Sequence, residues 1–197
     1  MKCVITGHTT GLGKAMYEAF KAAEWEVIGV SRQTGYDLNT DISRVVDLVN
    51  SADLFINNAN VNRAQFNLLN AVNKNVKQIV LGSVAGEFNQ QLQSDYSQHK
   101  ADLAQRCREL SLLPDTKILH IQISMLEDAV NGDVLIKYQE VLDVIDFWMT
   151  NPRFTNISFE FKLTPFTLER AKVAFNISPD NLNRIVSKMC EETKTGL

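Results

Sequence analysis

The sequence predicts a single α/β domain built on a doubly wound parallel sheet, and three observations carry that expectation. Short aliphatic runs alternate with amphipathic segments along most of the 197 residues. The runs are apolar on consecutive residues, as in Val4-Ile5 and Ile79-Val80-Leu81, so helices should cover both sheet faces. The first run also passes directly into a glycine-rich turn, Thr6-Gly7-His8-Thr9-Thr10-Gly11-Leu12-Gly13, and then into an amphipathic stretch. One core suffices for a chain of this length, and no second domain is needed.

In order, strands are expected at Lys2 to Thr6, Glu26 to Val30, Leu54 to Asn57, Gln78 to Gly82, Lys117 to Ile123 and Ile157 to Leu163. Helical spacing falls between them, from Leu12 to about Ala23, Ile42 to Asn50, Ala64 to Asn73, Ser94 to Leu113 and Val134 to Met149, with a last segment from Asn181 to Glu192. Pro114 ends one of these helices and Pro179 precedes another. No repeat or low-complexity tract divides the chain. Residues 1–163 form the expected α/β unit, and 164–197 a short helical extension of the same domain.

Composition narrows the function classes. With 45% hydrophobic residues, 22% charged residues and a net charge of -3, the chain is an ordinary globular protein with no basic surface for nucleic acid. Cys3, Cys107 and Cys190 lie far apart and form no CxxC pair, and the three histidines do not join them at metal-ligand spacing, so reduced structural thiols and no metal are expected. No run of about 18 apolar residues points to a membrane span. The strand pattern begins at Cys3 with no basic leader or cleavage site before it, so the cytoplasm is the expected address.

A glycine turn between a strand and a helix has two readings. It can be steric, since many such turns need glycine. It can also be a phosphate seat, where the backbone approaches a pyrophosphate closely and the amides and positive helix end hold the charge, as in a Rossmann-type domain. Further down the chain stand Asn57-Asn58-Ala59-Asn60 at a strand end, Ser83 at another, and Tyr96-Ser97-Gln98-His99-Lys100 on an expected helix, with Ser83 13 residues before Tyr96. Residues at i and i+4 share a helix face, so Tyr96 and Lys100 can address one site. A phenol is a poor acid and a worse base at neutral pH unless a nearby ammonium stabilises its phenolate.

Together these motifs resemble the short-chain dehydrogenase/reductase family over residues 1 to about 163. The GxxxGxG spacing after Thr6 is similar to that family's turn, Asn57-Asn58-Ala59-Asn60 to its NNAG with Asn60 in place of glycine, and Tyr96 to Lys100 to its YxxxK. The resemblance implies that Ser83 hydrogen-bonds a substrate oxygen, Tyr96 exchanges its proton, and Lys100 supports the phenolate and holds the nicotinamide ribose. It implies a cofactor seat formed by Gly7, Thr9, Thr10, Gly11, Leu12, Gly13, Ser31, Arg32, Asp37, Leu38, Asn58, Ala59, Asn60, Tyr96 and Lys100. The second strand ends Val30-Ser31-Arg32 with no acid to grip a ribose. Arg32 is therefore either a partner for a ribose phosphate, favouring NADP over NAD, or a solvated charge. Asp37-Leu38 is similar to the pair that reads the adenine edge, and Asp37 or Asp41 also suits a helix cap. Asn62 lies nearest the family's further catalytic asparagine, and is equally a helix-start residue.

The chain departs from that family by contraction. Only six residues separate Ser31 from Asp37, and 26 separate Asn57 from Ser83. Ser124-Met125 replaces a Pro-Gly step, and Leu126 to Asp133 stands where a substrate lid is usual. The expected function is an NAD(P)H-dependent carbonyl reductase or alcohol dehydrogenase acting on a small molecule. The alternatives are a dinucleotide sensor without turnover and a nucleotide-sugar epimerase or dehydratase, for which the chain is short of a substrate domain. A homodimer through the Tyr96 helix follows from the resemblance.

Overall fold

Consecutive aliphatic residues form six strands, β1 (Lys2–Thr6), β2 (Glu26–Val30), β3 (Leu54–Asn57), β4 (Lys77–Ser83), β5 (Ile118–Ile123) and β6 (Asn156–Phe161). The computed structural model describes residues 1–87, 93–123, 126 and 136–151 in full and 156–161 as backbone. All the strands run parallel, in the order β2-β1-β3-β4-β5-β6. Successive side chains alternate between faces. Cys3, Ile5, Leu54, Ile56, Ile79, Leu81, Leu119 and Ile121 pack on one side against α1 (Gly11–Ala22) and a second helix, which spans Tyr138–Thr150. On the other side Val4, Val30 and Phe55 meet α2 (Ile42–Asn50) and α3 (Ala64–Ala71), while Val80 and Ile118 meet α4 (Asp95–Ser111). The Tyr138–Thr150 helix is α5.

The order places a reversal between β1 and β3. From β1 the chain crosses by α1 outward to β2, then returns by α2 over β1 to pair β3 on its other flank. Helices diverge at such a point, leaving a crevice beyond the carboxyl ends of the two strands. Gly7 follows β1 and Asn58 follows β3, so both flank that crevice.

Element boundaries differ from the sequence expectation at the ends. β4 reaches Ser83, which is therefore its last residue, and α3 stops at Ala71 instead of Asn73. α5 starts at Tyr138 instead of Val134, where the Glu140 carboxylate accepts the Lys137 amide at 2.7 Å and closes a capping box. The contraction after β2 is real: a three-residue 3-10 turn, Arg32–Thr34, replaces any helix, and Gly35 takes the left-handed φ of 82° that turns the chain back. The extension 164–197 with its Asn181 to Glu192 segment, Cys190, the Ser124-Met125 step and all of Leu126 to Asp133 except Leu126 lie outside the described residues. Cys3 and Cys107 are buried and unbridged, and burial pushes both thiols far up, Cys107 to about 12. Among the described residues no helix is long and apolar enough to cross a membrane.

Candidate active site

The glycine turn is built for close approach. Gly7 sits at φ 71° and Gly11 at φ 54°, left-handed values that a side chain resists. A Cβ on Gly13 would lie 2.0 Å from the Gly7 carbonyl oxygen and 2.7 Å from Asn58 Nδ2, so only glycine lets α1 sit down on the turn. Behind it, the Thr6 hydroxyl accepts the amides of Asn58 and Ala59, each at 3.0 Å, and Asn58 Nδ2 donates to the carbonyls of Thr6 (3.1 Å) and Gly7 (3.2 Å). Those bonds stitch the Asn57-Asn58-Ala59 strand end to the turn across the switch point. Asn60, one residue further, is exposed. Leu12 faces the core, Thr9 is half-buried, and exposed Thr10 precedes α1 without capping it by its side chain. The first-turn amides of α1 therefore have no side-chain oxygen from Thr10, which suits them to an anion.

At the adenosine end of such a seat, the Ser31 hydroxyl is engaged with Thr34. Arg32 is exposed, and among the described residues it forms no ion pair. Asp37 accepts the Asn39 amide and side chain, both at 2.9 Å, and these bonds, with the Arg32 charge as a lesser contribution, hold its carboxyl below the usual range. Leu38 turns its side chain into the core beside Val4 and Val30.

β4 and α4 bring the other three residues together. Ser83, last in β4, is 4% exposed; its oxygen accepts the Ala85 amide at 3.2 Å, and its side chain lies beside the Tyr96 hydroxyl, whose phenolate it favours. Ser94 caps α4 by accepting the Ser97 amide at 3.1 Å, which fixes Tyr96 and Lys100 on its first two turns. The Lys100 ammonium lies 5.6 Å from the centre of the Tyr96 ring. Burial raises the Tyr96 phenol above its ordinary value, with Ser83 opposing, and lowers the Lys100 ammonium to about 8. Burial governs the phenol, and the ammonium is held elsewhere.

What holds it is Gln65, a residue the sequence reading passed over. Lys100 Nζ donates to Gln65 Oε1 at 2.6 Å and to the Leu81 carbonyl at 3.3 Å. Gln65 occurs in the sequence at i, i+3, i+4, i+7 spacing with Leu68, Leu69 and Val72, the buried phase of α3 and its end. A polar residue on a core-facing phase is the signal that was available. Asn62 is placed differently: exposed at φ 43° in the connection from β3 to α3, it donates to Asn39 Oδ1 at 2.7 Å and so ties that connection to the loop after β2. His8, in the glycine turn, stacks tilted on Tyr17 with ring centres 5.0 Å apart.

No family model and no curated protein matches the sequence. Solved structures do match. A 3-alpha-hydroxysteroid dehydrogenase from Pseudomonas sp. B-0831, complexed with NADH, is 15% identical with a TM-score of 0.63, over 87% of this chain and 99% of that one. A short-chain dehydrogenase from Burkholderia cenocepacia, in complex with NADP, is 15% identical with a TM-score of 0.64, over 88% and 92%. Another from Streptomyces avermitilis is 16% identical with a TM-score of 0.63, over 99% and 96%. The fold is thus that of the short-chain dehydrogenases, and among the described residues it has a six-stranded sheet whose β2 edge is followed by a tight turn. At these identities the likeness carries the architecture, and the chemistry rests on this chain's own residues.

Proposed function

We propose that the chain is an NAD(P)-dependent oxidoreductase that reduces a small carbonyl compound or oxidises the corresponding alcohol. The observation that carries the reading is the meeting of Ser83, the Tyr96 hydroxyl and a buried Lys100 at the carboxyl edge of a sheet whose switch point holds an open glycine turn. The three structural neighbours named above are titled dehydrogenases, and two of them were solved with NADH or NADP.

The residues present fit a dinucleotide. The Gly7 to Gly13 turn with the start of α1 would take the pyrophosphate, and Asn58 and Ala59 would floor the seat beneath it. Exposed Arg32, just past the end of β2, would partner a ribose phosphate, and this supports NADP over NAD. When bound, the nicotinamide supplies or accepts a hydride at the substrate carbon. Ser83 donates a hydrogen bond to the carbonyl oxygen, and Tyr96 gives that oxygen its proton, so that C=O becomes CH–OH. Lys100 would hold the ribose and repel a proton from Tyr96 during the reverse reaction. The homodimer through α4 is likewise a proposal; that helix's outer face is charged, with Arg63 bridged to Asp102 at 2.8 Å and Arg106 to Glu109 at 3.1 Å.

The test is turnover. Oxidation of NADPH and NADH is followed against a panel of small aldehydes and ketones for wild type and Tyr96→Phe. Wild type should turn over a subset, and Tyr96→Phe should lose roughly 10²- to 10⁴-fold in kcat. Nucleotide binding without Tyr96-dependent turnover on any carbonyl would make the protein a dinucleotide sensor instead.

A further inference from the structure

Gln65 is the most completely bonded side chain near the site. Its Nε2 donates to the carbonyls of Asn57 (2.8 Å) and Leu81 (2.9 Å), while its backbone carbonyl accepts Asn57 Nδ2 at 2.8 Å. Both N–H donors are therefore spent on carbonyls that close β3 and border the end of β4. A flipped amide would set its oxygen against two other oxygens, so the orientation is dictated, and Oε1 must face the Lys100 ammonium. The Leu81 carbonyl accepts from both side chains, Gln65 Nε2 and Lys100 Nζ, and completes a closed triangle. Gln65 is 5% exposed and Lys100 4%, so water has little access to either.

We propose that Gln65 is a positioning residue for Lys100, a neutral amide that pins the ammonium at the edge of the sheet while leaving its positive charge uncancelled for the crevice. The alternatives at that position show why an amide suits. A carboxylate would pair with Lys100 and quench the field it projects toward Tyr96. An aliphatic side chain would leave a buried ammonium with one acceptor fewer and favour its loss of a proton. Among the described residues, two of the three Nζ donors are engaged, which leaves one for a ligand hydroxyl.

The groups around Lys100 do not compete for this role. Tyr96 on its own helix is a neutral phenol, and on β3 and β4 stand the uncharged Asn57 and Ser83. On β5, His120 is pushed down to about 4, by burial first and then by the charges of Arg108 and Lys100, so it stands neutral. Gln65 is thus the polar side chain that sets the ammonium's surroundings.

The proposal rests on the oxidoreductase reading only for the use made of the charge, and its test reads Lys100 directly. Protein labelled at the lysine Cε carbon is titrated by NMR, with the Lys100 signal assigned by its loss in Lys100→Arg. Wild type should titrate near pH 8. Gln65→Glu should raise the midpoint by more than about one pH unit and Gln65→Met should lower it by a similar amount. In turnover, Gln65→Glu should move the pH profile of kcat in the same direction with the nucleotide KM held within about threefold. Unchanged midpoints in both variants would overturn the proposal even if the enzyme works. Shifted midpoints in a protein that reduces no carbonyl would leave the positioning role standing and remove the oxidoreductase reading. Should Gln65→Met fail to fold, the near-isosteric Gln65→Glu decides alone.

Discussion

The two helices that border the site begin in opposite ways. α1 starts open: Thr10 makes no side-chain cap, and two left-handed glycines and a third without room for a Cβ bring its first turn against the ends of β1 and β3. α4 starts sealed: Ser94 and Ser97 cap each other reciprocally, the amide of each bonded to the other's hydroxyl at 3.1 and 3.2 Å. Both ends carry the same helix dipole and the same orphan amides. One set is satisfied internally and serves to hold Tyr96 and Lys100 in place. The other has no cap from Thr10, and in the proposed reading it takes the pyrophosphate. The contrast teaches that a helix start here is either a frame or a receptor, decided by the residue before it.

The comparison breaks most severely at Gly13. Gly13→Ala would force α1 off the turn, with an expected stability loss of roughly 3 kcal/mol by denaturant unfolding. NADPH affinity should fall about a hundredfold or more by fluorescence titration, since the first-turn amides would no longer face the seat.

A smaller effect sharpens the α4 side. The folded-state value of Lys100, about 8, lies below its ordinary 10.5, so between those pH values the unfolded chain holds a proton that the folded one lacks. Stability from this group therefore rises with pH across that window, and its cost is fully present below about pH 8. Unfolding of wild type against Lys100→Met should show a relative gain approaching about 1.4 kcal/mol per pH unit from pH 8 to 10. A flat difference would mean the ammonium is not buried as described.

The smallest effect is the most discriminating. Ser94→Ala should cost about 1 kcal/mol of stability, the worth of a lost cap. It should leave NADPH affinity unchanged. Weakened binding would show that the sealed helix end also serves the ligand.

Much of this was legible in the sequence because the relevant signals are local. Consecutive aliphatics gave β1, β2 and β3 to the residue, since a strand covered on both faces has no alternation to blur its ends. The glycine turn and the Tyr96-Lys100 pair were legible through their spacing taken together with Ser83 and the family resemblance. The core-facing phase of Gln65 was open to reading but its role was not, because that depends on how the β3 to α3 connection brings α3 against the ends of β3 and β4, and nothing in the string shows which carbonyls will lie within reach. The raised Tyr96 phenol was missed for a related reason. Spacing reveals that an ammonium shares a helix face with the hydroxyl, but not that it is bonded to Gln65 and Leu81, nor how deeply both are buried. The α5 start was misplaced because Val134, Leu135 and Ile136 extend the apolar pattern, while the capping box at Lys137 and Glu140 begins the helix later.

The most direct measurement of the account is amide hydrogen exchange, residue by residue, with and without NADPH. The amides of Gly11, Leu12 and Gly13 should gain protection on adding nucleotide, while those of Ser94 to Ser97 should stay as they are. Equal protection at both helix starts, or none at the glycine turn at saturating NADPH and NADH, would contradict the claim that this turn is the dinucleotide seat.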